Sequence, residues 1–93
     1  MLHTKRIGVI GLVIEDRLDA APRVNAVLAQ YGSIIVGRLG VPYKERNVSV
    51  IALVVDGTSD HVGALSGKLG AIPGVRVKSA LTSFAETSTP NPT

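Results

Sequence analysis

The stretch Arg6-Ile-Gly-Val-Ile-Gly-Leu-Val-Ile14 decides how the rest of the chain is read. Behind the basic start Met1-Leu-His-Thr-Lys5, its eight residues from Ile7 onward resemble the apolar segment of a secretory signal. Gly8 and Gly11 weaken that run, and Glu15-Asp16 ends it, so a buried β-strand explains the same letters better. Ile7, Val9 and Val13 alternate with Ile10, Leu12 and Ile14, which makes the strand apolar on both faces. Such a strand belongs in the middle of a sheet.

Working outward, Asp19 to Tyr31 reads as a helix. Val24, Val27, Leu28 and Tyr31 form one apolar stripe, Pro22 sits in the first turn, where a missing amide costs little, and Gly32 is placed to end it. Ser33 to Leu39 and Val48 to Val55 read as two strands, the second again apolar on both faces through Val50, Ile51, Leu53, Val54 and Val55. Asp56-Gly57-Thr58-Ser59 leads into a second helix lined by Val62, Leu65, Leu69 and Ile72, which Pro73-Gly74 breaks. Val75 to Leu81 closes the series as an edge strand, with Val75, Val77 and Leu81 on one face and Arg76 and Lys78 on the other. The order β-α-β-β-α-β is the ferredoxin-like pattern of the α+β class. Two right-handed crossovers give an antiparallel four-stranded sheet of order 4-1-3-2 with both helices on one face. The other apolar face is then left in water, and we expect a homo-oligomer, dimer or tetramer, whose interface includes that face or an edge strand.

Composition agrees with one small domain: 93 residues, 45% hydrophobic and 18% charged. A net charge of +3 is too mild for a dedicated nucleic-acid binder, and three aromatics do not make a stacking platform for bases. The lack of cysteine excludes a disulfide framework, a thiolate metal site and a thiol nucleophile in this chain. No run approaches the ~18 apolar residues of a membrane span, and a cytoplasmic location with no membrane partner is expected. Residues 1–5 read as an N-terminal tail, 6–81 as the domain, and 82–93, half Ser and Thr with Pro90 and Pro92, as a disordered C-terminal tail.

Motifs of known chemistry fail on spacing or context. Gly63-Ala-Leu-Ser-Gly67-Lys68 has three residues between its glycines where a phosphate loop needs four, and it lies within a helix. Its glycines, with Gly70, instead suit a helix face that another backbone approaches closely. Gly8-Val-Ile-Gly11 lies inside a strand and not after one, so it reads as a bulge or a close packing site and not as a dinucleotide fingerprint. His3 and His61 have no second ligand at strand or helix spacing. Ser59, Asp60 and His61 are adjacent and point apart, and no Gly-x-Ser-x-Gly elbow is present. Acylphosphatases share the element order and hold phosphate in the first strand-to-helix loop, but here that loop opens with Glu15-Asp16, which repels an anion, although Arg17 follows. No catalytic residue, metal ligand or cofactor is expected.

Two segments are better suited to binding. Glu15-Asp16-Arg17 is a charge cluster between the first strand and a helix start, with a solvated turn and capping carboxylates as the plain reading. Between the second and third strands about eight residues, Gly40 to Asn47, exceed the two to five of a simple hairpin. With Arg38 they present Pro42, Tyr43, Lys44 and Arg46, suited either to an anionic or planar ligand or to a neighbouring subunit. Asp16, Arg17, Arg38 and Tyr43 are the candidate ligand or interface residues.

Three segments, Arg6 to Arg17, Gly37-Arg-Leu-Gly-Val-Pro-Tyr-Lys-Glu-Arg46 and Leu65-Ser-Gly-Lys-Leu-Gly-Ala-Ile-Pro-Gly-Val-Arg-Val-Lys-Ser-Ala-Leu81, resemble the short regulators associated with the iron-only hydrogenase system. That family is similar to ACT domains and to the C-terminal sensor domain of nickel-responsive repressors. The resemblance implies an ACT-like fold, assembly into dimers or tetramers, and small-ligand sites near subunit interfaces. It departs from the nickel-responsive proteins in having no ribbon-helix-helix segment before Arg6 and no Cys or clustered His, so neither nickel sensing nor direct DNA binding is expected. The expected function is a non-enzymatic, ACT-like regulatory module that binds a small-molecule effector as a homo-oligomer. It would act through a protein partner in transcriptional regulation of a hydrogenase system. The alternative is a ligand-free structural or interaction module.

Overall fold

The computed structural model describes residues 4–15 and 19–86. The elements run β1 (Lys5–Glu15), α1 (Ala20–Gln30), β2 (Ile35–Tyr43), β3 (Val48–Gly57), α2 (Ser59–Gly70) and β4 (Val75–Glu86), with short 3-10 turns at Gly32–Ile34 and Lys44–Arg46. The sheet order is β2-β3-β1-β4, antiparallel at every pairing. This is the order expected from the sequence, an ACT-like, ferredoxin-like βαββαβ fold, with the two doubly apolar strands in the centre.

Period-2 alternation divides β1 and β3 between two environments. Ile10, Leu12 and Ile14 turn toward the helices and are buried, as are Ile51, Leu53 and Val55 from β3. The Ile10–Leu53 pair at the sheet centre is closed over by Val24 and Leu28 of α1 and by Val62, Leu65 and Leu69 of α2. Each such side chain contributes roughly 1.5–3 kcal/mol by leaving water. The α2 stripe matches the expected one, and Thr58 caps that helix by accepting from the His61 N–H at 3.1 Å. On β4, Val77 and Leu81 pack against this core and Val75 is part of it.

β2 departs from the sequence reading. It runs to Tyr43, where a loop from Gly40 was expected, and pairs with β3 as far as Tyr43–Val48. The connection shrinks to the Lys44–Arg46 turn and Asn47, whose φ of 55° and ψ of 40° are left-handed values that Asn tolerates. Gly40 and Pro42 were expected in that loop, yet an edge strand accommodates a residue with no N–H to donate. From Arg38 to Tyr43 every residue of β2 is exposed, so the two helices cover three strands and, beyond Ile35 and Gly37, leave the fourth uncovered.

β4 also outruns its expected end at Leu81 and continues to Glu86, so residues 82–86 belong to the sheet and not to a tail. Gly8 pairs with Leu81 and Arg6 with Ala85, which leaves Thr82, Ser83 and Phe84 opposite Ile7 alone. The Thr82 hydroxyl fills this bulge: it donates to the Ile7 carbonyl at 2.6 Å and accepts from the Phe84 N–H at 3.2 Å. Serine and threonine carry no apolar period, so nothing in the residue types marks this pairing. β1 likewise starts at Lys5, one residue ahead of the expected boundary. The remaining tail expectations, for residues 1–3 and 87–93, lie outside the described residues.

Gly63, Gly67 and Gly70 were expected to admit another backbone, but within the chain an added Cβ at any of them meets nothing within 4 Å. Gly63 and Gly67 therefore carry only the helix penalty of about 1 kcal/mol each relative to alanine. The Gly63→Ala/Gly67→Ala variant should be about 1–2 kcal/mol more stable, read as a higher urea midpoint with an unchanged slope. An unchanged or lower midpoint would show that something does occupy that face.

Candidate functional site

Because α1 stops short of β2, a groove lies between them. The row of β2 that faces the helices, Arg38, Gly40 and Pro42, pairs with Leu53, Ile51 and Ser49, and forms one wall. Ala21 and Val24 of α1 form the other, and Ile14 and Ile51 the floor, around an apolar recess of about 210 Å³. It adjoins a second recess of about 410 Å³ that shares Ile14, Ala21, Pro42 and Ser49 and adds Glu15, Lys44, Asn47 and Val48. The groove thus passes from an apolar pocket to a polar mouth with a cation, a carboxylate and an amide. Gly40 keeps the wall low, with open space where a Cβ would stand.

Arg38 lies on the groove side of β2, and its guanidinium donates to Asn25 Oδ1 on α1 at 3.3 Å, which bridges the two walls beyond the apolar pocket. Tyr43 falls on the opposite face, paired with Val48 and 42% exposed. Strand alternation therefore separates these two candidates, by five residues and one face. Asp16 and Arg17 lie outside the described residues. Their neighbour Glu15 closes the mouth of the groove, held by Arg76 Nη1 at 2.9 Å. The sequence reading placed Pro42 in a binding loop but did not single out Ala21 and Ser49; small residues carry no chemical signature, and only the pairing of β2 with β3 brings the three together.

This arrangement suits a small molecule with an apolar body and a charged head, held by van der Waals contact inside and by Lys44, Asn47 and Glu15 at the mouth. Among the described residues, no three His, Cys, Asp or Glu side chains lie close enough together to hold a metal ion. No described helix is long and apolar enough to cross a membrane.

Solved structures share this architecture. The uncharacterized protein TM1266 from Thermotoga maritima is 44% identical, with a TM-score of 0.81 over 83% of this chain and 96% of that one. The ACT domain from GTP pyrophosphokinase of Chlorobium tepidum superposes with a TM-score of 0.69 at 18% identity, over 82% of this chain and 99% of that one. A protein described as a putative glycine cleavage system transcriptional repressor gives 0.64 at 17% identity, over 91% of this chain and 50% of that one. At those last two identities the likeness is one of fold. A comparison with curated proteins finds no match. The family model TM1266-like, described as "Iron-only hydrogenase system regulator, putative", matches residues 6–79, which run from β1 into the first part of β4. Match and fold together place the chain in the TM1266-like family of iron-only hydrogenase system regulators.

Proposed function

We propose that the chain is a regulatory module that binds a small charged effector in the α1–β2 groove, works as a homo-oligomer and acts through a protein partner. The groove carries this reading: an apolar pocket opening on Lys44, Asn47 and Glu15, beside a strand the fold leaves uncovered. The regulator family and the ACT neighbours support a non-catalytic role. A transcriptional output reached through a partner, in a hydrogenase system, is the extension of the family description. Arg38 serves as a wall of the site and Tyr43 as an assembly contact, and Asp16 and Arg17 stay candidate ligand residues on the sequence alone. The ligand-free module is favoured by a different observation, the apolar sheet face opposite the helices, which calls for assembly whether or not the groove is filled.

Native mass spectrometry of the gently purified chain, paired with thermal melts against a panel of small carboxylates and amino acids, tests the site. A ligand at one hundred times its Kd stabilises by about 2.7 kcal/mol, or roughly 10–20 °C in a domain of this size. The expected result is an adduct or a shift of that order, lost in the groove-filling Ala21→Arg variant. A clean mass with no shift across the panel would leave the ligand-free module standing.

A further inference from the structure

The sheet face turned away from the helices can be read residue by residue from its register. Val41, Val50, Val13 and Arg76 form one row across the four strands. Leu39, Ala52, Gly11 and Lys78 form the next, and Gly37, Val54, Val9 and Ala80 the third. Val9 is 54% exposed, Leu39 64% and Val54 43%. Four strands about 4.8 Å apart and seven or eight residues long make a face of roughly 500 Å². Two such faces together bury about 1,000 Å², the size at which a specific interface begins. The edges are poorer candidates: β2 carries Pro42 and an irregularity between Ile35 and Gly37, and β4 carries the Thr82–Phe84 bulge.

Charge decides the occupant and its orientation. On these rows the cations, Arg76 and Lys78, stand only on the β4 border, while the β2 border is apolar through Leu39 and Val41. A two-fold axis across the strands would set Lys78 over its own copy. A two-fold axis along the strands sets β4 of one chain over β2 of the other, so that the stems of Arg76 and Lys78 cover Val41 and Leu39, with the Arg76 head held by Glu15 and the Lys78 head in water at the border. The face is therefore complementary to itself in one orientation. We propose that two copies of this chain pack sheet face to sheet face, related by a two-fold axis running along the strands. This deepens the homo-oligomer of the proposed function and rests on it.

The lack of cysteine makes the test direct. Leu39 and Lys78 of one chain are three strand spacings apart, about 14 Å, beyond the ~7 Å limit for a disulfide. A bond in the Leu39→Cys/Lys78→Cys variant must therefore join two chains. Mild oxidation of the full chain should give mostly covalent dimer from this double variant and none from either single variant. Light scattering should give a mass of two chains, or a multiple of two, for the unsubstituted protein. Val54→Lys, with its circular dichroism preserved, should halve that mass. Cross-linking by Leu39→Cys alone would overturn the proposal in favour of a two-fold axis across the strands or β2–β2 edge pairing. An oligomer that neither cross-links through the double variant nor dissociates in Val54→Lys would overturn it while leaving the proposed function intact. A monomer at micromolar concentration would remove both this interface and the homo-oligomer, and leave the face to a different protein.

Discussion

Leu53→Ala should lower the stability of the domain by about 3–5 kcal/mol, the largest effect of any single truncation in the core. Leu53 is fully buried at the centre of β3, opposite Ile10 and under both helices. Two close-packed layers cannot collapse onto the space it would leave, so the cavity adds to the lost transfer energy. A domain of this size has roughly 5–14 kcal/mol in total, so the variant should melt some 12–40 °C earlier, at roughly 4–8 °C per kcal/mol. Thermal unfolding followed by circular dichroism at low micromolar concentration would show it. A fall of less than about 5 °C would mean that the layers are loose enough to close around alanine.

Gly8→Ala should cost about 2 kcal/mol although it adds only a methyl group. The new Cβ would stand 2.6 Å from Leu81 Cδ2 and 3.0 Å from Leu81 Cα, and against the Ala80 carbonyl oxygen. Leucine can swing aside, but the backbone of β4 is fixed there by the bulge that Thr82 closes onto Ile7. Gly11→Ala provides the comparison on the same strand: its Cβ meets nothing within 4 Å of the chain, so under conditions where the chain is monomeric it should change stability by no more than about 0.5 kcal/mol. Chemical denaturation of the two variants side by side separates them. Equal costs would show that strand propensity, and not the approach of β4, governs both positions.

The centre of the fold is legible in the residues themselves. Alternation in Ile7 to Ile14 and Val48 to Val55 marks two central strands, and the helical stripes through Leu28 and Leu65 mark what covers them, because burial leaves a period in the sequence. The ends of β2 and β4 are not legible for the same reason. Pro42 and Gly40 have the composition of a turn, and Thr82-Ser-Phe-Ala-Glu86 that of a tail. Both segments are held by backbone pairing at a sheet margin, which imposes little on side-chain type. The groove is hidden along with β2. Of the four candidate residues, Arg38 stands on its wall, Tyr43 stands on the other face of the sheet, and Asp16 and Arg17 lie outside the described residues.

A strand uncovered from Arg38 to Tyr43 has a thermodynamic corollary. Gly40, Val41 and Pro42 border the groove, while Leu39 and Val41 stand in the rows of the face proposed for a second chain, so a single nine-residue strand serves both. β2 is held by one ladder, to β3, and by few buried side chains, which places it at the low end of local stability and among the fastest amides to exchange with solvent. Whatever orders one row orders the alternate row with it. An effector in the groove and a second chain on the face would then be linked, and linkage is reciprocal: an effector that tightened association by some factor would itself be tightened by association by the same factor.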